Sequence, residues 1–300
     1  MYCQQQTQGH LMSLSSKPKI RPFDNRVVVR KSKKEFKEKY FEFETIGQGC
    51  FGIVTAGVRR SDSRPVAIKH IPLNLVKYMW AKTQNDNYKT ITEVVLMAQL
   101  NEEVLIVMER PLKSMNIKEL FKWRGGNIPQ HEVKSIFKQL VDAAVLMHKN
   151  GIFHRDIKGE NILVFRVQEE LSIKIIDFGC GDILQKKPYT TFRGSLANAP
   201  PEQHLLNLCY AEQTTVWQIG ALLWNLYSDR PFHTKEYMNG LNPPFDRLSR
   251  KCKDFMNQCL TICPKQRSRL VKLQCHAWLV QKSRPTSPHS SNAARGEKAQ

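Results

Sequence analysis

The residues that could do chemistry are concentrated in His154-Arg155-Asp156-Ile157-Lys158-Gly159-Glu160-Asn161 and, about twenty residues later, Asp177-Phe178-Gly179. Asp156 is a candidate general base for an attacking hydroxyl. Lys158 is a cation two residues away, placed to neutralise charge on a transferring phosphoryl group. Asn161 and Asp177 offer the hard oxygen donors that Mg²⁺ prefers. A base, a cation and two metal-binding groups in this order suit transfer of the γ-phosphoryl group of ATP. Either tripeptide alone would carry little weight; the two together, with Asn161 between them, are specific. His154 reads as structural, packed beneath Phe178 rather than moving protons.

A second constellation lies upstream. Gly47-Gln48-Gly49-Cys50-Phe51-Gly52-Ile53-Val54 has the spacing G-x-G-x-x-G-x-V in a strand–turn–strand setting, whereas a dinucleotide fingerprint would open a helix. Glycine lets backbone N–H groups approach phosphate oxygens without a Cβ in the way. Val66-Ala67-Ile68-Lys69 follows at strand spacing, and Lys69 would grip the α- and β-phosphates. Its desolvated charge needs a carboxylate partner, for which Glu93 is the candidate.

The elements that must position these groups follow from apolar spacing. Phe41, Phe43 and Thr45 alternate before the glycine turn, and Ile53-Val54-Thr55-Ala56 returns, so a β-hairpin is expected. Val66 to Ile71 and Val104 to Met108 read as further strands, and Thr92 to Leu100 as helical in composition. After Pro111 the pattern changes to helices. Gln130 to Lys149 carries Val133, Ile136, Phe137, Leu140, Val141 and Ala144 as one stripe. Val216 to Tyr227 is almost wholly apolar, which predicts a buried central helix; Asp254 to Ile262 and Leu270 to Leu279 complete the set. Strands first and helices after describe an α+β fold.

Composition bounds the rest. At 300 residues, 41% hydrophobic and 24% charged, the chain has material for one large domain or two lobes. No apolar run is long enough to span a bilayer, and the first residues lack the basic and apolar regions of a secretory signal. Much of the net charge of +19 falls in residues 1–39, which read as a basic, disordered arm without the aromatic interleaving that base stacking needs. Residues 280–300 read as a disordered Ser/Pro-containing tail. Cys252, Cys259, Cys263, Cys275 and His276 lack a Cys-x-x-Cys spacing and read as free thiols on helices rather than a zinc site. These features predict a cytoplasmic monomer, with nuclear entry left open, that binds neither membrane nor nucleic acid.

The motifs resemble those of eukaryotic protein kinases from about Tyr40 to Leu279. The resemblance implies a bilobal fold: a sheet N-lobe over 40–110 and a helical C-lobe over 111–279. Lys158 is similar to the residue of the serine/threonine class. Ala199-Pro200-Pro201-Glu202 resembles the segment that closes the activation loop; Arg267 matches the basic partner of that glutamate, and Ser195 the small hydroxyl residue before it. More narrowly, Pro65-Val66-Ala67-Ile68-Lys69-His70, Glu93-Val94-Val95-Leu96, Glu109-Arg110-Pro111, Asp156-Ile157-Lys158-Gly159-Glu160-Asn161-Ile162-Leu163 and Tyr189-Thr190-Thr191-Phe192 resemble the Pim kinases, in particular their fish-type relatives. The resemblance implies Mg-ATP as co-substrate and protein serine or threonine hydroxyls as acceptors. Ile46, Gly47, Gln48, Gly49, Cys50, Phe51, Gly52, Val54, Ala67, Lys69, Glu93, Glu109, Leu163 and Asp177 would line the nucleotide. Asp156, Lys158 and Asn161 would be catalytic, with Asn161 and Asp177 on the metal. Pro111 has no N–H to offer adenine, so one bond through the Glu109 carbonyl is implied. So is an activation loop that needs no phosphorylation.

Departures qualify that expectation. Between Glu93 and the strand at Val104 the family has another strand and turn, roughly 8–11 residues. Only Asn101-Glu102-Glu103 are available, which reach about 11 Å at most. The fourth strand is therefore expected to be missing, or to be made by drawing Val95 to Leu100 out of the helix. The shortened sheet also motivates an alternative: a pseudokinase scaffold that binds nucleotide or partners without transfer. Thr215 stands where most kinases place an aspartate that holds the catalytic loop, a departure Pim-like sequences share. Glu119 and Glu160 remain as acids for basic substrates, whereas Lys122 and Gly159 replace further ones, which counts against a strong arginine preference.

Overall fold

The computed structural model describes residues 29–30, 33–49, 52–72, 96–99, 103–241, 243 and 245–280. They fall into two compact units, one ending at Arg110 and the other beginning at Pro111. No helix among the described residues is long and apolar enough to cross a membrane.

The first unit is a sheet. Its strands are β1 (Val29–Arg30), β2 (Tyr40–Gly49), β3 (Gly52–Arg59), β4 (Arg64–Pro72), β5 (Leu96–Gln99) and β6 (Glu103–Glu109). They lie in the order β1-β5-β6-β4-β3-β2, antiparallel except for the β1–β5 pair. Alternation along β4 explains its two faces. Val66 and Ile68 enter a core with Phe36, Tyr40, Leu105 and Val107, so Ala67 and Lys69 point the opposite way.

One expectation for this unit changes, and one of two stated alternatives is met. Lys33–Lys39 forms helix α1, whose Phe36 is only 2% exposed in the sheet core, so this end of the expected disordered arm is part of the fold. Burying an aromatic ring outweighs the basic composition that made the segment look like arm. Residues 1–28 and the tail from 281 lie outside the described residues. The fourth-strand position is filled: β5 pairs with β6 from Leu96↔Val107 to Gln99↔Val104. Leu96–Gln99 is thus extended rather than helical, because pairing with β6 satisfies backbone groups that the shortened connection could not otherwise reach. Cys50, Phe51 and Glu93, and with Glu93 the expected pair to Lys69, also lie outside the described residues.

In the second unit, α3 (Gln130–Lys149) and α5 (Ala211–Asn225) form the frame, with α2 (Ile117–Trp123), α4 (Pro201–Leu206), α6 (Thr234–Met238), α7 (Arg250–Cys259) and α8 (Leu270–Gln274) around them. The stripe on α3 packs against Trp217, Ile219 and Leu223 of α5 and Phe255 of α7 in one core. Helix α7 begins before the expected Asp254, capped by Ser249, and α8 is shorter than expected. Arg267 uses its guanidinium fully. It bonds both carboxylate oxygens of Glu202 at 2.9 and 2.8 Å, then the carbonyls of Gln213, Ile262 and Thr261. A buried charge pair of this kind stabilises only when every donor is met, as here.

Candidate functional site

A hairpin that the sequence reading did not anticipate carries part of the site. Strands β9 (Ile162–Val167) and β10 (Glu170–Ile175) pair throughout, with the short β7 (Met115–Asn116) on the other edge of β9, and are joined by Gln168 and Glu169, which both have positive φ. That backbone twist matches a two-residue turn between antiparallel strands. The register brings Asn161, just before β9, beside Ile176, just after β10; the Ile176 N–H donates to the Asn161 carbonyl at 2.9 Å. Two candidate metal ligands distant in sequence, Asn161 and Asp177, are therefore neighbours of one hairpin end.

Asp156 sits between β8 (Ile152–Phe153) and that hairpin, 6% exposed. Its carboxylate meets three donors: the Ser195 N–H at 2.9 Å on Oδ1, and Lys158 Nζ at 2.7 Å and Asn161 Nδ2 at 3.2 Å on Oδ2. Asn161 Nδ2 also donates to the Asp156 carbonyl at 2.8 Å. Lys158 Nζ bridges onward to Ser195 Oγ at 2.9 Å. Burial works against the Lys158 ammonium, yet the hydrogen bond and charge of Asp156, with Glu160 beyond, raise its pKa above the usual lysine value.

His154 packs against Phe178 with ring centroids 4.6 Å apart, as the sequence reading expected. Its Nε2 donates to the Ile176 carbonyl at 3.0 Å and its Nδ1 accepts from the Asp156 N–H at 3.3 Å, which assigns the neutral tautomer. Burial pushes its pKa down. Arg155, at φ +69°, pairs with Asp182 Oδ2 at 2.7 Å and lies 4.5 Å over the Tyr189 ring. Asp182 belongs to β11 (Asp182–Ile183), which pairs with β8. Asp177 takes φ +61°, and its Oδ1 accepts from the Gly179 N–H.

In the sheet unit, cross-strand partners share a face. Val54 stands opposite Lys69, and Lys69 opposite Ile106; Ala67 lies opposite Met108. Val54, Ala67 and Lys69 thus line one face, as the expected apolar and cationic lining requires. Ile46 is 44% exposed on β2, where the register shifts before Gly47. The glycines differ among themselves. Among the described residues, a Cβ on Gly49 would meet nothing within 4 Å and one on Gly47 only Val54 at 3.9 Å, whereas one on Gly52, at φ +129°, would lie 1.8 Å from the His70 carbonyl oxygen. Gly52 is needed by the hairpin itself; Gly49 leaves open backbone of the kind a phosphate cradle uses. Gln48 pairs with Ile53 beside them. Glu109 ends β6 opposite Val66, and Leu163 lies on β9 opposite Lys174 in the second unit.

Both acids read as substrate-facing have structural partners. Glu119 Oε2 accepts from the Asn116 N–H at 3.0 Å and completes a capping box on α2; Glu160 pairs with Lys118 at 2.9 Å. The sequence reading missed Gln218, an amide within the apolar run of α5, which bonds the backbone on both sides of Asp156. An amide set between the apolar neighbours Trp217 and Ile219 was the signal for it.

Comparison with known proteins adds the lineage. The protein kinase domain family matches residues 40–279. The chain belongs to the protein kinase family. It is 30% identical to the serine/threonine-protein kinase pim-2 of Danio rerio over 280 residues, 85% of this chain and 89% of that one. It is 32% identical to the serine/threonine-protein kinase prk-2 of Caenorhabditis elegans over 273 residues, 83% of this chain and 60% of that one. A PAS domain-containing serine/threonine-protein kinase of Mus musculus matches at 28% over 265 residues, 82% of this chain and 19% of the longer protein. The expected enzyme class, protein serine/threonine kinase, is the class of these relatives, and the antiparallel sheet unit followed by a helical unit is the α+β kinase fold.

Proposed function

We propose that this kinase is Pim-like and transfers the γ-phosphoryl group of Mg-ATP to serine or threonine hydroxyls of proteins. The observation that carries the reading is the saturation of Asp156 by Lys158, Asn161 and the Ser195 N–H, which aims a buried carboxylate while keeping a cation beside it. Asp156 would accept the proton of the attacking hydroxyl, and Lys158 would offset charge on the transferred group. Mg²⁺ supplies neutralisation of phosphate charge, and the donor set fits it. Asn161 commits its Nδ2 to Asp156, which leaves Oδ1 as the oxygen for a hard cation, and Asp177 brings a carboxylate. The open backbone at Gly49 and the face bearing Val54, Ala67 and Lys69 would hold nucleotide, with the Glu109 carbonyl as the single adenine contact before Pro111.

Two observations support constitutive transfer over the pseudokinase alternative. Strand β5 completes the sheet next to β6, and Arg155 already has Asp182 as its anion, so no phosphate is needed to neutralise it. The test is incubation of the purified chain, dephosphorylated beforehand, with Mg-ATP and a mixed peptide library. Phosphoserine and phosphothreonine without phosphotyrosine are expected. Nucleotide binding without any phosphopeptide would leave the scaffold reading in its place.

A further inference from the structure

Thr215, at the position where an aspartate was expected to hold the catalytic loop, is engaged elsewhere: its Oγ1 donates to the Ala211 carbonyl at 2.9 Å and accepts from His148 Nε2 at 3.0 Å. One helical turn further along α5, Gln218 is 1% exposed and reaches the loop instead. Its Oε1 accepts from the Ile157 N–H at 3.1 Å and its Nε2 donates to the Arg155 carbonyl at 2.5 Å. The flipped amide would set N–H against N–H and oxygen against oxygen, so the two backbone groups themselves decide its orientation.

We propose that Gln218 is the positioning residue for Asp156, clamping the peptide groups on either side of it. The inference rests on the reading of Asp156 as the base. The physical need is visible at Arg155, whose left-handed backbone is unfavourable for a non-glycine residue and must be held by its surroundings. Gln218 holds that carbonyl from one side. Gly194 closes the other, since a Cβ there would lie 2.7 Å from the same oxygen. The Ile157 N–H, on the far side of Asp156, is turned into the same amide. With both peptides fixed, the Cα–Cβ bond of Asp156 keeps the direction from which its carboxylate reaches the Ser195 N–H and Lys158. A side-chain amide is suited to this because it donates and accepts at once. A carboxylate could meet the N–H but would repel the carbonyl.

The test pairs Gln218→Leu, which removes both bonds, with Gln218→Glu, which keeps the acceptor and regains a donor only when protonated. Gln218→Leu is expected to lower kcat by about 10- to 100-fold with the KM for ATP within about twofold of wild type, the size of effect a misplaced reacting group produces. Gln218→Glu is expected to recover toward wild type, at matched pH, as the pH falls from about 7.5 to about 5.5. Amide hydrogen exchange at Ile157 supplies a readout independent of turnover: protection should be lost in Gln218→Leu and kept in Gln218→Glu. A folded Gln218→Leu protein with wild-type kcat would overturn the inference while leaving the kinase reading intact. If Gln218→Leu fails to fold, a pH-independent Gln218→Glu defect overturns it. If the wild type itself transfers nothing, the kinase reading falls, and unchanged Ile157 exchange in Gln218→Leu would then overturn the clamp as well.

Discussion

Lys158 Nζ lies 2.7 Å from Asp156 Oδ2 and 2.9 Å from Ser195 Oγ, so the ammonium is tied both to the candidate base and to the hydroxyl just ahead of Ala199-Pro200-Pro201-Glu202. Because Asp156 raises its pKa, Lys158 remains charged through neutral and mildly alkaline pH, and its contribution is lost only above the usual lysine value of 10.5. Replacing it by methionine is expected to reduce kcat roughly 10²–10³-fold, as loss of one charge-stabilising donor does. Steady-state assays up to about pH 9 should show no alkaline decline that disappears in Lys158→Met. A decline that the substitution abolishes would mean that the ammonium titrates lower than its surroundings imply.

The roles of Gly52 and Gly49 separate by substitution. Gly52→Ala forces a Cβ onto the His70 carbonyl at a positive φ and should lower the thermal midpoint markedly. Gly49→Ala meets open space, so stability should stay within about 0.5 kcal/mol while the KM for ATP rises. Equal stability loss in both variants would show that Gly49 serves the hairpin rather than the nucleotide.

Acid sensitivity follows from two histidines. Burial lowers the pKa of His148 and of His154 below the usual value of 6.5. A depressed folded pKa means that the unfolded chain binds more protons, so stability is lost as pH falls below 6.5. Urea midpoints at about pH 7.5 and about pH 5.5 should drop in the wild type and drop less in His148→Gln. An identical drop in that variant would assign the acid loss to other groups.

Helix α1 gives a direct check on where the fold begins. Phe36→Ala should cost about 3–5 kcal/mol, read as a lower denaturation midpoint. A change near zero would return residues 33–39 to the arm.

Much of the site was legible because its chemistry is written in short-range spacing. Asp156, Lys158 and Asn161 share one loop, and Lys69 and Ala67 alternate on one strand. What escaped depends on contacts made across the chain. The β9–β10 hairpin turns at Gln168-Glu169, neither of them a typical turn residue, so only its register reveals it. Phe36 sits among lysines whose charge hides one decisive ring. Leu96–Gln99 was legible in part: its composition is helical, but the short connection before β6 already allowed an extended segment, and pairing with β6 makes it one. Gln218 is a single polar residue whose purpose appears only when its two backbone partners are seen.

The central claim is that Asp156 accepts the proton in phosphoryl transfer, and Asp156→Asn tests it most directly. The variant keeps the size of the side chain and an acceptor for the Ser195 N–H. With Mg-ATP and a serine peptide, kcat should fall roughly 10²–10⁴-fold while nucleotide affinity is retained. Equal transfer by the wild type and Asp156→Asn would contradict the account, even if ATP still bound to both.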